Sequence, residues 1–181
     1  MRGLARDAGR NKPVADGAFQ NEAELVASPT SYITRLEREP MATKYDIVKQ
    51  TKAPMSKAID YYSHPENLPK VHPDFVKDVK IISRDGNTVK LEQQMEMMGR
   101  NLKAVNTMVW DGANNKFEVS TLEGDGKGSK ITIELKQIPT GTEMHYWAEM
   151  EFGALGFFIK GRAKESFVKV ADEDAKALDA T

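Results

Sequence analysis

The stretch ALGFFIKGRAKESFVKVADEDAKAL, residues 154–178, decides how the rest of the chain is read. Leu155, Ile159, Ala163, Phe167, Val170, Ala171 and Leu178 recur at three- and four-residue steps, which places them on one broad stripe of an α-helix. Lys164, Glu165, Lys169, Asp172, Glu173 and Lys176 fill most of the remaining circumference, and Gly153 and Gly156 punctuate the entry. A helix so one-sided needs an apolar surface to lie on. The chain before it reads as a sheet that supplies one.

Residues 76–84, 88–98, 101–110, 117–122, 129–138 and 143–152 are short alternating runs separated by turn signals, the mark of an antiparallel meander. A further strand is predicted over 44–51, where Tyr45, Ile47 and Val48 are the apolar members. Ala53-Pro54 breaks it, and Pro54 suits the first position of a helix. Met55, Ala58, Ile59 and Tyr62 then keep helical spacing as far as His64-Pro65. A second short helix is expected over 65–71, stopping at His72-Pro73.

Two hairpins set the faces of this sheet. With Gly99-Arg100 as a two-residue loop, Met98 pairs with Asn101. Val89, Leu91, Gln93, Met95 and Met97 then face Trp110, Met108, Asn106, Ala104 and Leu102, while Glu92, Glu96, Lys103 and Thr107 take the other side. In the last hairpin a loop over 139–142 sets Ile131, Ile133 and Leu135 beside Met150, Ala148 and Tyr146, and leaves His145, Trp147, Glu149 and Glu151 outside. A three-residue loop would instead put Leu135 beside His145. The first arrangement gathers the apolar residues on one face and is preferred. The inward face carries one anomaly, two amides in contact, Gln93 and Asn106.

The chain has 181 residues, enough for one domain with a sizeable core or an enclosed pocket. A net charge of −1 gives no bulk field toward nucleic acid or acidic membranes. Without cysteine there is no disulfide, thiol catalysis or thiolate-bound metal. No apolar run approaches the roughly 18 residues of a membrane span, and the N-terminus has no signal-peptide core, so a cytoplasmic protein without stable membrane insertion is expected. Residues 1–40 lack a strand period and read as a disordered or weakly helical extension, with one short helix near 29–38, ahead of a domain over 41–181. Deleting them is expected to leave folding intact.

Three constellations are candidates for chemistry. His64, Glu66 and His72 lie close in sequence but lack a recognised ligand spacing, and both histidines precede proline at segment ends, so no metal is expected. EGDGKGSK, residues 123–130, lacks the P-loop order and joins strand to strand, which makes it a glycine-rich hairpin. The strand carboxylates Glu92, Glu96, Glu134, Glu149 and Glu151 fall mostly outside, and no nucleophile adjoins a base.

The passages VKQTKAPMSKAIDYYSHPENLPKVHPDFVKDVKII (48–82) and GFFIKGRAKESFVKVADEDAKALDA (156–180), in this order of elements, resemble the START-related superfamily. That group takes in birch-pollen-allergen-like, polyketide cyclase/dehydrase-like and coenzyme Q-binding-like proteins. The resemblance covers residues 43–178 and implies an α+β helix-grip fold: a curved antiparallel sheet of about seven strands around a long C-terminal helix, with two short helices after the first strand. It also implies a cavity for a lipid, isoprenoid or polycyclic aromatic molecule. It carries no catalytic signature.

The residues expected to line such a cavity are Leu91, Gln93, Met95, Asn106, Met108, Tyr146, Met150, Phe158, Arg162 and Phe167. Methionine suits a deformable lining, and the chain has nine. No cofactor is expected, and the protein is expected to be a monomer or weak homodimer whose partner is a hydrophobic small molecule. Two other readings stay open. One is a cyclase/dehydrase-like enzyme assisted by Gln93, Asn106 or Tyr146. The other is a protein-interaction module using an outer patch at His145 and Trp147.

Overall fold

The computed structural model describes residues 42–97, 99–152 and 156–180, with the side chains of 156–161 left aside. The expected N-terminal extension lies outside the described residues. The first strand, β1 (Thr43–Thr51), leads into α1 (Met55–Ser63), a 3-10 turn (Pro65–Asn67) and α2 (Leu68–Val71). Six strands follow: β2 (Val76–Asp85), β3 (Thr88–Met97), β4 (Arg100–Asp111), β5 (Lys116–Gly124), β6 (Lys130–Ile138) and β7 (Gly141–Met150). The chain closes with α3 (Gly156–Asp179). Pro54 caps α1 instead of occupying its first turn, one position earlier than the sequence suggested.

The seven strands form one curved antiparallel sheet in the order β1-β7-β6-β5-β4-β3-β2. Strand alternation sends Tyr45, Ile47, Leu91, Ala104, Met108, Phe117, Ile133, Leu135, Met144, Tyr146 and Ala148 inward, where all are buried. Ala163, Ala171 and Leu178 of α3 are buried too, on the stripe that the helical period marks. Val48, read as apolar and β-rich, points outward and is half exposed.

Both hairpins keep the expected faces but shift register; the β3–β4 loop stays two residues long and moves back by one, while the β6–β7 loop shortens from four residues to two. Met97 pairs with Arg100, not Met98 with Asn101, and Gly99 takes a left-handed φ of 73° at the second loop position. Ile138 pairs with Gly141, so Ile131, Ile133 and Leu135 sit beside Ala148, Tyr146 and Met144. Each pairing slips by two residues from expectation. A slip of two preserves which side chains point inward, because the side-chain period is two. Gly141 is required there for a further reason: a Cβ would run into the backbone of Thr51 and Lys52.

Candidate functional site

The concave face divides into two regions. Under the C-terminal half of α3 lies a buried polar cluster. Oδ1 of Asp174 accepts hydrogen bonds from the Tyr61 hydroxyl at 2.6 Å and from His72 Nε2 at 2.9 Å. Oδ2 lies 3.0 Å from the Tyr146 hydroxyl and 3.2 Å from that of Tyr62. The two phenols also approach each other at 2.6 Å. Two phenolic protons serve only two of those three oxygen contacts at once. The distances favour Tyr62 donating to Tyr146 and Tyr146 donating to Asp174, which leaves the 3.2 Å approach as the weak one.

His72 turns its other nitrogen, Nδ1, to Glu173 at 2.8 Å. A ring held between two carboxylates satisfies both only as imidazolium. Burial acts to lower the His72 pKa, but its bonds to Asp174 and then Glu173, with their charges, outweigh burial and raise it above the ordinary value. Burial pushes the phenols of Tyr61, Tyr62 and Tyr146 up, and the Asp174 charge adds to the rise. All three stay protonated donors, so none serves as a tyrosinate base.

Around this cluster α3 is tied down at several points. Asp179 accepts from the Thr51 hydroxyl at 2.5 Å and from the Lys52 amide at 2.7 Å. Lys57 Nζ donates to the Leu178 carbonyl, satisfying an open carbonyl at the helix end. Lys49 pairs with Asp172, and Lys169 with Asp74.

The second region is the inward face of β3, β4 and β5. Leu91 and Met108 are buried there, whereas Gln93, Met95, Met97, Leu102 and Val119 are only half-buried although they point inward. Asn106 is 4% exposed, and its Nδ2 donates to Gln93 Oε1 at 2.9 Å. The amides therefore meet as expected, although across a diagonal: Gln93 pairs in register with Ala104, and Asn106 with Leu91. Asn106 Oδ1 is buried and has no hydrogen-bond partner among the described residues. It sits beside a β-bulge, where Val105 pairs with Glu123 but Asn106 pairs with Thr121, leaving Leu122 extra. Gly124, paired with Ala104 just past that bulge, has a φ of 84°, and a Cβ there would strike the Lys103 carbonyl.

The expected lining residues thus separate. Gln93, Asn106, Leu91, Met95 and Met108 belong to the second region. Tyr146 is committed to the Asp174 cluster. Met150 and Phe167 are half-buried beside Tyr45, Ala148 and Ala163, and Phe167 lies 5.9 Å from the Tyr45 ring. Arg162 is exposed, and the Phe158 side chain lies outside the described residues. Depressions on the outer surface of the described residues include the following two. One of about 430 Å³ lies along Lys164, Val168, Asp172 and Lys176 of α3. The other, about 270 Å³, is lined by Glu134, Lys136, Glu143, His145 and Trp147.

His64, Glu66 and His72 do not converge. His64 bonds the Asp60 carbonyl, Glu66 pairs with Arg84, and His72 points into the core. The His72–Asp174 pair is the interior histidine–carboxylate pair that the sequence reading does not find. A signal for it exists: Asp174 falls three residues after Ala171 and four before Leu178, on the apolar stripe of the helix. On the outer face, His145 bonds Asp46 at 2.6 Å and stacks on the exposed Trp147.

No family model matches the chain, and no curated protein does. Solved structures match its fold. A START superfamily protein from Mycobacterium smegmatis is 15% identical, with a TM-score of 0.64 over 76% of this chain and 96% of that one. A protein from Thermus thermophilus, TTHA0849, is 16% identical, with a TM-score of 0.66 over 75% of this chain and 94% of its own. The Zhui aromatase/cyclase from a Streptomyces species is 12% identical, with a TM-score of 0.59 over 75% of this chain and 88% of its own. At these identities the likeness is one of fold.

Proposed function

We propose that this chain, which has the helix-grip fold of the START-related superfamily, binds a hydrophobic small molecule between β3–β5 and α3. The observation that carries this reading is the half-open apolar lining. Met95, Met97 and Leu102 point inward yet are not sealed, while Met144 and Phe117, elsewhere on the same face, are fully buried. A face finished as solid core would bury both sets alike. Flexible methionines beside a single pair of amides make a mainly apolar lining with few polar groups, the usual composition of a ligand site. A lipid, isoprenoid or polycyclic aromatic body fits that lining. The name of the Streptomyces neighbour adds support for aromatic ligands.

Native mass spectrometry after gentle purification is expected to show lipid-like mass on the protein, and the purified chain is expected to take up a fluorescent fatty acid or polycyclic probe. No retained mass together with no uptake of either probe would defeat the reading.

A further inference from the structure

The inward face of β4 carries an acceptor that the protein itself leaves unmet. Asn106 is almost wholly buried, and its Nδ2 is committed to Gln93 Oε1, which fixes the carboxamide with Oδ1 turned away from Gln93. Its β3 partner, Leu91, has no side-chain donor, and its β5 partner, Thr121, makes no hydrogen bond to it. Its neighbours along the same face are Ala104 and Met108. A buried acceptor without a donor is costly, and a ligand that brings a donor removes that cost.

We propose that Asn106 selects a neutral ligand whose apolar body carries a hydroxyl, in preference to an anionic one; this rests on the binding reading above. A carboxylate would set oxygen acceptors against the Asn106 carbonyl. The partly buried basic side chains beside α3 are already engaged, Lys49 with Asp172 and Lys57 with the Leu178 carbonyl. The deepest charged groups are Asp174 and the His72 imidazolium, and both ring nitrogens of His72 are already taken, by Asp174 and Glu173. Arg162, on the exposed side of α3, is the cation that would serve an anionic ligand instead.

The test uses three probes with one apolar body, pyrenebutanol, its methyl ether and pyrenebutyrate, titrated into the full chain at neutral pH and followed by pyrene fluorescence. The alcohol is expected to bind roughly tenfold tighter than the ether, and tighter than the carboxylate. In Asn106→Leu, with the circular dichroism spectrum retained, alcohol and ether should fall within about twofold of each other. If that variant does not fold, the alcohol-to-ether ratio of the unmodified chain still decides. Equal binding of alcohol and ether would overturn the proposal and leave the pocket standing. So would tightest binding of the carboxylate, lost in Arg162→Gln. Binding of none of the three would remove the pocket reading together with the preference.

Discussion

The two flanks of the sheet are made from the same alternation, yet they finish differently. Pairing runs without interruption from β1 through β7 and β6 to β5. Above it, Asp174 takes bonds from His72, Tyr61 and Tyr146, Tyr62 joins through Tyr146, and Asp179 and Lys57 fasten the helix end. On the other flank, bulges break the β4–β5 and β2–β3 ladders, inward methionines stay half-open, and Asn106 keeps an unmet acceptor. The first flank uses most of its buried polar groups to hold the helix, with Thr43 Oγ1 of β1 left unmet. The second leaves one polar group for something else. A helix fixed firmly at one end can then act as wall to a less finished interior at the other.

The largest expected effect tests the finished flank. Asp174→Ala strips the shared acceptor from His72, Tyr61 and Tyr146, and is expected to cost about 3–5 kcal/mol in denaturant unfolding. A loss below about 1 kcal/mol would mean that the cluster does not hold the helix. Next comes a matched pair of truncations. Met144→Ala, in the sealed region, is expected to cost about 2–5 kcal/mol, and Met95→Ala, in the half-open region, about 1 kcal/mol or less. Equal losses would erase the distinction between the flanks.

A graded effect concerns pH. The His72 pKa is raised in the folded state, so its contribution is fully present below the unfolded value of about 6.5 and is lost as pH rises through the folded value. The melting temperature should therefore fall across that window in the unmodified chain relative to His72→Gln. Parallel profiles for the two proteins would show that His72 does not titrate with folding. The smallest effect is expected from Lys44→Ala. It breaks an exposed pair with Glu149 and should leave the melting temperature unchanged within error.

Face assignment is legible in the sequence to a degree that register is not. Alternation alone sorts Leu91, Ala104, Met108 and Tyr146 inward and His145 and Trp147 outward, because the side-chain period is two and only one face can be buried. Pairing depends on which loop residues accept a left-handed backbone, and the same apolar face fits registers two residues apart. Gly99 is recognisable as a turn residue, but its place within the loop is not. The amide contact survives the slip because long side chains reach across a diagonal. The Asp174 cluster is harder to see, since His72 and Asp174 are 102 residues apart.

By itself the sequence determined the order of elements, the helix stripe from Ala163 to Leu178 and the inward placement of Gln93 and Asn106, since these follow from local periodicity and turn chemistry; Leu155 and the Ile159 side chain lie outside the described residues. Only the tertiary structure decided that the stripe carries a carboxylate as its anchor. It also decided that the Asn106 carbonyl is left without a partner. Both depend on which groups distant parts of the chain bring within hydrogen-bond reach, and no local period encodes that.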